Sequence, residues 1–218
     1  MPHRLIPLLV VALIGNTAHA GPWLREKGST FMEVSFASNY ILDTTRQTYL
    51  EYGLSDKTTV IADIGMIQPR NAEHGGIATF SLRRALSAPD ATSKWAYELG
   101  AGVGWAGDEI LPHFRTGLSW GRGMSWGETS GWMTVDAAVI WDLTNAQHVS
   151  QLDATLGANF TDFTTGMIQI YTAHIDGASI VTLAPSVVFN PQKGGYRIKL
   201  GAESELSDWD NSAFKIGL

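Results

Sequence analysis

Between Trp95 and Trp105, the residues Trp95, Tyr97, Leu99, Ala101, Val103 and Trp105 alternate with Ala96, Glu98, Gly100, Gly102 and Gly104. A strict period of two puts the first set on one face of a β-strand and the second on the other. Ten residue steps at ~3.3 Å each span ~33 Å, and a tilt of ~40° reduces this to ~25 Å across a bilayer. A tryptophan then stands at each interface. The segment predicts a membrane-crossing β-strand.

The same alternation recurs in about twelve segments, at 32–36, 50–54, 60–66, 78–83, 95–105, 113–120, 133–141, 152–160, 168–170, 181–189, 197–203 and 214–218. Turn residues bound each one. Pro185 lies inside the tenth, where the missing N–H suggests a bulge. An even number of antiparallel strands brings the last beside the first, so the expected fold is all-β: an up-and-down transmembrane β-barrel of about 12 strands. With the amino terminus in the periplasm, Ser55–Lys57 and Thr161–Phe163 become tight inner turns. Gln68–Gly76, Thr144–Val149 and Ser207–Asn211 become outer loops, while Leu86–Lys94 and Gly121–Gly131 are long connections on the inner side.

Alternation alone does not say which face is inside. A soluble exported barrel or sandwich binding an apolar ligand would carry the same period with its apolar face inward. Three features favour lipid outside. Only 17% of residues are charged, against ~25% in ordinary soluble domains. Trp95, Trp105, Trp120 and Trp141 fall at strand ends, as membrane-interface residues do. The opposite face carries Gly100, Gly102 and Gly104 where a water-washed sheet would carry Lys, Glu and Thr.

The beginning of the chain adds a location. Pro2-His3-Arg4, an apolar run from Leu5 to Ile14, and Ala18-His19-Ala20 before Gly21 have the order of a secretory signal peptide. The apolar run is too short for a helical span of ~20 residues. The expected organisation is a signal peptide at 1–20 and one barrel domain at 21–218, a chain exported to the outer membrane. There are no cysteines, so no disulfide framework supports the fold. The 15 Lys and Arg, less Arg4, leave 14 bases against 21 acids. Without a basic cluster, no nucleic-acid partner is expected.

On the polar parity stand seven acids, Glu33, Glu51, Asp63, Glu98, Asp136, Asp153 and Glu203. Five bases share it: Arg83, Arg115, Arg197, Lys199 and Lys215, together with His113. These are the expected lumen-lining residues. Charges in a narrow lumen either pair across it, which plugs the barrel, or line water, which makes a pore. Catalytic chemistry has weaker support. His113 and Ser119 share a parity, but no G-x-S-x-G elbow occurs, and a nucleophile needs a base within hydrogen-bond reach. His74, His148 and His174 have no metal-ligand spacing. Asp208-Trp-Asp-Asn211 lacks the glycine and distal glutamate of a calcium loop. The glycines of Gly117–Gly123 follow a strand without opening a helix, so they form no phosphate cradle. No catalytic residue, metal or cofactor is assigned.

Glu51-Tyr-Gly-Leu-Ser-Asp-Lys-Thr-Thr-Val60 is similar to the strand, tight turn and strand that recur in the small outer-membrane β-barrel proteins of Gram-negative bacteria, the porin-like superfamily in the broad sense. The terminal hairpin from Tyr196 to Leu218 extends the resemblance. It implies outer-membrane lipid as the surroundings and insertion by the barrel-assembly machinery, through a last strand ending in an aromatic residue. Here the chain ends Phe214-Lys-Ile-Gly-Leu218. The expected role is a small-solute channel or a structural barrel with a charged, partly plugged lumen. The alternatives are an outer-membrane lipid-modifying hydrolase and the soluble ligand-binding barrel.

Overall fold

The computed structural model describes residues 21–191 and 195–218. It is a closed antiparallel barrel in which each strand pairs with its sequence neighbours and the last pairs with the first. The strands are β1 (Thr30–Asn39), β2 (Thr44–Ser55), β3 (Thr58–Gln68), β4 (Gly75–Ala85), β5 (Ser93–Ala106) and β6 (Glu109–Trp126). The second half continues with β7 (Thr129–Asp142), β8 (His148–Asn159), β9 (Thr164–Ile175), β10 (Ala178–Phe189), β11 (Ile198–Glu205) and β12 (Asp208–Gly217). The twelve-stranded up-and-down architecture read from the alternation is the one observed. At the seam, Ser35 faces Gly217 and Asn39 faces Ala213. Val34 and Leu218 then exchange both backbone hydrogen bonds at 2.9 Å.

Burial settles the faces. Along β2, Gln47, Tyr49 and Glu51 are buried, and along β4 so are Thr79, Ser81 and Arg83. Their neighbours Tyr52, Leu54, Phe80 and Leu82 are exposed. The apolar parity points outward on every strand for which it was read, and the polar parity points in. Trp95 and Trp120 are register partners on the outside of one end. Trp105 and Trp141 stand on the outside of the other, where Trp141 donates from Nε1 to Thr116 Oγ1 at 3.3 Å.

Three local expectations are corrected. Gly121–Gly131 is not a long connection: β6 and β7 run on to a turn at Gly127-Glu128, with Gly123 opposite Trp132 and Ser125 opposite Ser130. Glycines at 121, 123 and 131 erase the apolar alternation without interrupting the backbone ladder. Ser207–Asn211 is not a free loop either: β12 begins at Asp208, opposite Glu205, and the ladder shifts register before it resumes at Glu203 and Ala213. Pro185 makes no bulge. It faces Ile168 of β9 in unbroken register, and the ladder to β11 passes over Ala184 and Pro185, resuming in the same register at Ser186 and Gly201. The missing donor therefore costs ladder pairs on one side rather than inserting a residue.

The connections do not sort by length as outer loops and inner turns should. The end where β1 starts carries 86–92 and 190–197, whereas the opposite end carries nothing longer than 69–74. The first is called here the proximal end and the second the distal end.

Candidate functional site: a filled barrel interior

Residues 21–29 precede β1 and turn back into the proximal end. Gly21 and Pro22 are buried there. The segment lies directly on the wall: Gly28 N–H donates to Gly53 O at 2.8 Å, Gly53 N–H to Ser29 O at 3.0 Å, and Arg25 N–H to Thr59 Oγ1 at 3.0 Å. Two wall positions must be glycine for this approach. A Cβ on Gly53 would collide with the Glu26 carbonyl, and one on Gly121 would sit 2.7 Å from the Trp23 ring. Arg25 also stacks over the Phe31 ring, 4.4 Å from its centroid.

From Arg25 a chain of ion pairs runs through the barrel interior. Arg25 Nε donates to Glu51 Oε2, and Glu51 Oε1 accepts from Arg83 Nη1 at 2.8 Å and from Tyr49 OH at 2.6 Å. Arg83 Nη2 reaches Glu98 Oε2 at 3.1 Å, and Glu98 Oε1 accepts from Arg115 Nε at 3.1 Å. Arg115 Nη1 ends the chain at Gln151 Oε1, 2.9 Å away. Arg83 on β4 bonds Glu51 on β2, and Arg115 on β6 bonds Gln151 on β8. These two links each skip one strand of the wall, Arg83–Glu98 and Glu98–Arg115 join adjacent strands, and the chain as a whole runs along the inner face from β2 to β8. Arg83 is 2% exposed and Glu51 0%, so no water-filled passage runs beside them. Two further pairs close the seam side: Lys199 with Glu33 at 3.4 Å and Lys215 with Glu203 at 2.5 Å.

Distal to the charges the interior becomes apolar. Ile77, Ile140, Val149, Ala173 and Ile175 form one buried cluster, with Ile67 packed against it. Its members come from β4, β7, β8 and β9, so the cluster bridges strands that are not neighbours in the wall. Between the two layers is a cavity of about 20 Å³ edged by Asp63, Thr79, Ser81, Glu98 and Arg115 as well as Ile61, Ile77 and Ile140. That is room for about one water with polar partners. The barrel is filled in three layers: chain segment, ion pairs, aliphatic side chains.

The expected lumen residues distribute as follows. Glu33, Glu51, Asp63, Arg83, Glu98, His113, Arg115, Asp136, Asp153, Lys199, Glu203 and Lys215 stand on the inward parity of their strands. Asp63 accepts from Gln47 Nε2 at 3.0 Å, and Asp153 accepts from the Thr172 N–H at 3.2 Å. Asp136 and Asp153 are register partners on β7 and β8, two carboxylates side by side. Arg197 is the exception. It precedes β11 and is exposed, because the alternation that placed it with Lys199 and Glu203 starts only at Ile198. Arg25 supplies the inward cation instead.

His113 does not meet Ser119, which lies six residues along the same strand, ~20 Å away at ~3.3 Å per residue. Its Nε2 shares a hydrogen bond of 2.9 Å with Thr79 Oγ1, buried within the barrel. His148 packs against Trp141, ring centroids 5.7 Å apart, and His174 Nδ1 contacts Ser179 Oγ at 2.9 Å. Among the described residues, no three His, Asp or Glu converge as metal ligands. Of the Asp208–Asn211 stretch, the side chains of 210 and 211 lie outside the described residues.

The inserted segment and the apolar layer are what the alternation misses. Two signals bear on them. Seven inward acids against five bases, one of them Arg197, call for a cation from outside the strands. Glycine at the proximal ends of β2 and β6 marks where another chain approaches closely. In comparison with known proteins, no protein-family model matches the chain, and no curated protein does.

Proposed function

We propose that this chain is an outer-membrane barrel of the small Gram-negative type, acting as a structural, closed barrel rather than an open channel for small solutes. The observation that carries the membrane part is the exterior. Met32, Phe36, Leu54, Phe80, Leu99, Leu118, Leu152, Ile168, Val187 and Phe214 are all exposed, and they run round the whole wall. Soluble monomers rarely expose contiguous apolar patches beyond a few hundred Å², whereas a lipid-facing barrel requires such a band. Tryptophans at both ends of the band fit its interfaces, and the signal-peptide pattern at 1–20 fits the export route. Insertion by the barrel-assembly machinery belongs to the same proposal.

Closure follows from the three interior layers. A conducting lumen needs a continuous wet path, and the buried ion-pair chain from β2 to β8 and the aliphatic cluster distal to it argue against one here. Two measurements test the reading. Membrane fractionation with mass spectrometry of the processed chain is expected to find a protein starting at Gly21 in outer membranes. Recovery in the soluble periplasmic fraction would overturn the membrane proposal. In planar bilayers, refolded protein is expected to give no stepwise conductance, and porin-sized steps would overturn the closed barrel.

A further inference from the structure

The outer wall is not uniformly convex. Trp95, Leu118, Trp120, Val135 and Ala137 line a groove of about 330 Å³ on the proximal half of β5, β6 and β7, at the small end of the roughly 300–1,000 Å³ range of ligand clefts. Its cause is a step in side-chain size. Leu118 faces Ala137 and Trp120 faces Val135 across the β6–β7 ladder, and on the far side Val135 faces Ala154. Tall residues on β6 thus stand beside short ones on β7. Trp95 closes the β5 side, its ring 6.5 Å from that of Trp120.

The next outward position along β6 is Arg122, opposite Met133. It lies two residues beyond Trp120, ~7 Å along the strand, on the proximal side. Its side chain is exposed, and among the described residues it has no ion-pair partner. An apolar trough with aromatic walls therefore ends in a free guanidinium at the level where interfacial tryptophans meet headgroups. Arginine binds a phosphate diester through parallel N–H donors, and the trough beneath it takes hydrocarbon.

We propose that the β5–β7 groove is a binding site for one anionic phospholipid, its acyl chain between Trp120 and Val135 and its phosphate on Arg122. This rests on the membrane reading above. Arg84 provides the contrast: it is also exposed and outward, but on β4 opposite Tyr97, one strand outside the three that form the trough.

The test is native mass spectrometry of the refolded mature protein in an uncharged detergent, titrated with phosphatidylglycerol. One lipid is expected to stay bound. Arg122→Gln, an exposed substitution that leaves the wall intact, should lower its retention about ten-fold or more, the equivalent of losing one charge-assisted hydrogen bond. Ala137→Trp, which fills the trough, should lower it comparably, whereas Arg84→Gln should leave it unchanged. Free glycerol phosphate at the same concentration should not be retained. Equal retention in wild type, Arg122→Gln and Ala137→Trp would overturn the site, as would retention of glycerol phosphate alone. Failure of the membrane reading shows separately, as loss of the protein from the outer-membrane fraction.

Discussion

Replacing Arg83 by methionine removes the central cation of the interior without much change in volume. Its guanidinium donates to Glu51 and Glu98 at 2.8 and 3.1 Å and approaches Tyr49 OH at 3.4 Å. Breaking a buried pair by removing one partner costs ~3–5 kcal/mol, mainly because the other charge stays buried. Here both orphaned carboxylates keep a second cation, Arg25 for Glu51 and Arg115 for Glu98. That places Arg83→Met at the low end, about 3 kcal/mol. The assay is reversible urea unfolding of the refolded barrel in lipid vesicles, followed by tryptophan fluorescence at fixed lipid ratio. A triple variant, Arg83→Met with Glu51→Gln and Glu98→Gln, should recover none of the loss, because it also strips Arg25 and Arg115 of their carboxylate partners. A single-variant cost below ~1 kcal/mol, the value of a solvent-exposed pair, would refute the argument that these groups are sealed from water.

Leu99→Arg, on the outer face midway along β5, should destabilise the barrel in bilayers by ~2–4 kcal/mol. A lipid-dissolved quencher should reach a fluorophore at 99 better than one at 100, and equal quenching would contradict the lipid-facing assignment. Asp153→Asn should raise stability by ~0.2–1 kcal/mol by relieving the cross-strand carboxylate pair with Asp136, since an amide oxygen still accepts the Thr172 N–H; urea midpoints decide the sign. Gly53→Val should expel the inserted segment by collision with the Glu26 carbonyl. Limited trypsin digestion should then cut after Arg25 and Lys27 with the barrel left whole, and an unchanged digestion pattern would contradict that contact.

Strand number and facing were legible because a period of two, once one face meets a different medium, is a rule that each residue obeys independently. Met133, Val135 and Ala137 announce their side without any knowledge of β6 or β8. What fills the interior is a property of residues far apart in sequence. Arg83 and Glu51 are 32 positions apart, and the apolar cluster gathers Ile77, Ile140, Val149, Ala173 and Ile175 from four strands. Ile140 shares its parity with Asp136, so the alternation assigns it to the lumen yet cannot reveal that it joins four other apolar side chains there. Residues 21–29 have no period and are held by backbone contacts with Gly53 and by Arg25. Their placement depends on the shape of the finished wall. Arg197 shows the converse error, a strand pattern extended one residue past the point where pairing begins.

The Val34–Leu218 hydrogen bonds set an order of events. Every other pairing in the wall joins neighbours along the chain, but this one joins residues 184 positions apart, so it carries by far the largest loop-closure entropy. Contacts of such separation form late and slowly. Until they form, β1 and β12 are open edges, ready templates for another chain. The inserted segment leads directly into β1, so its seat on β2, β3 and β6 can be occupied while that edge is still free. Zipping of the seam then locks a chain already threaded inside. A barrel assembled in this sequence needs no later step to load its filling, and its slowest transition on refolding should be closure of the wall itself.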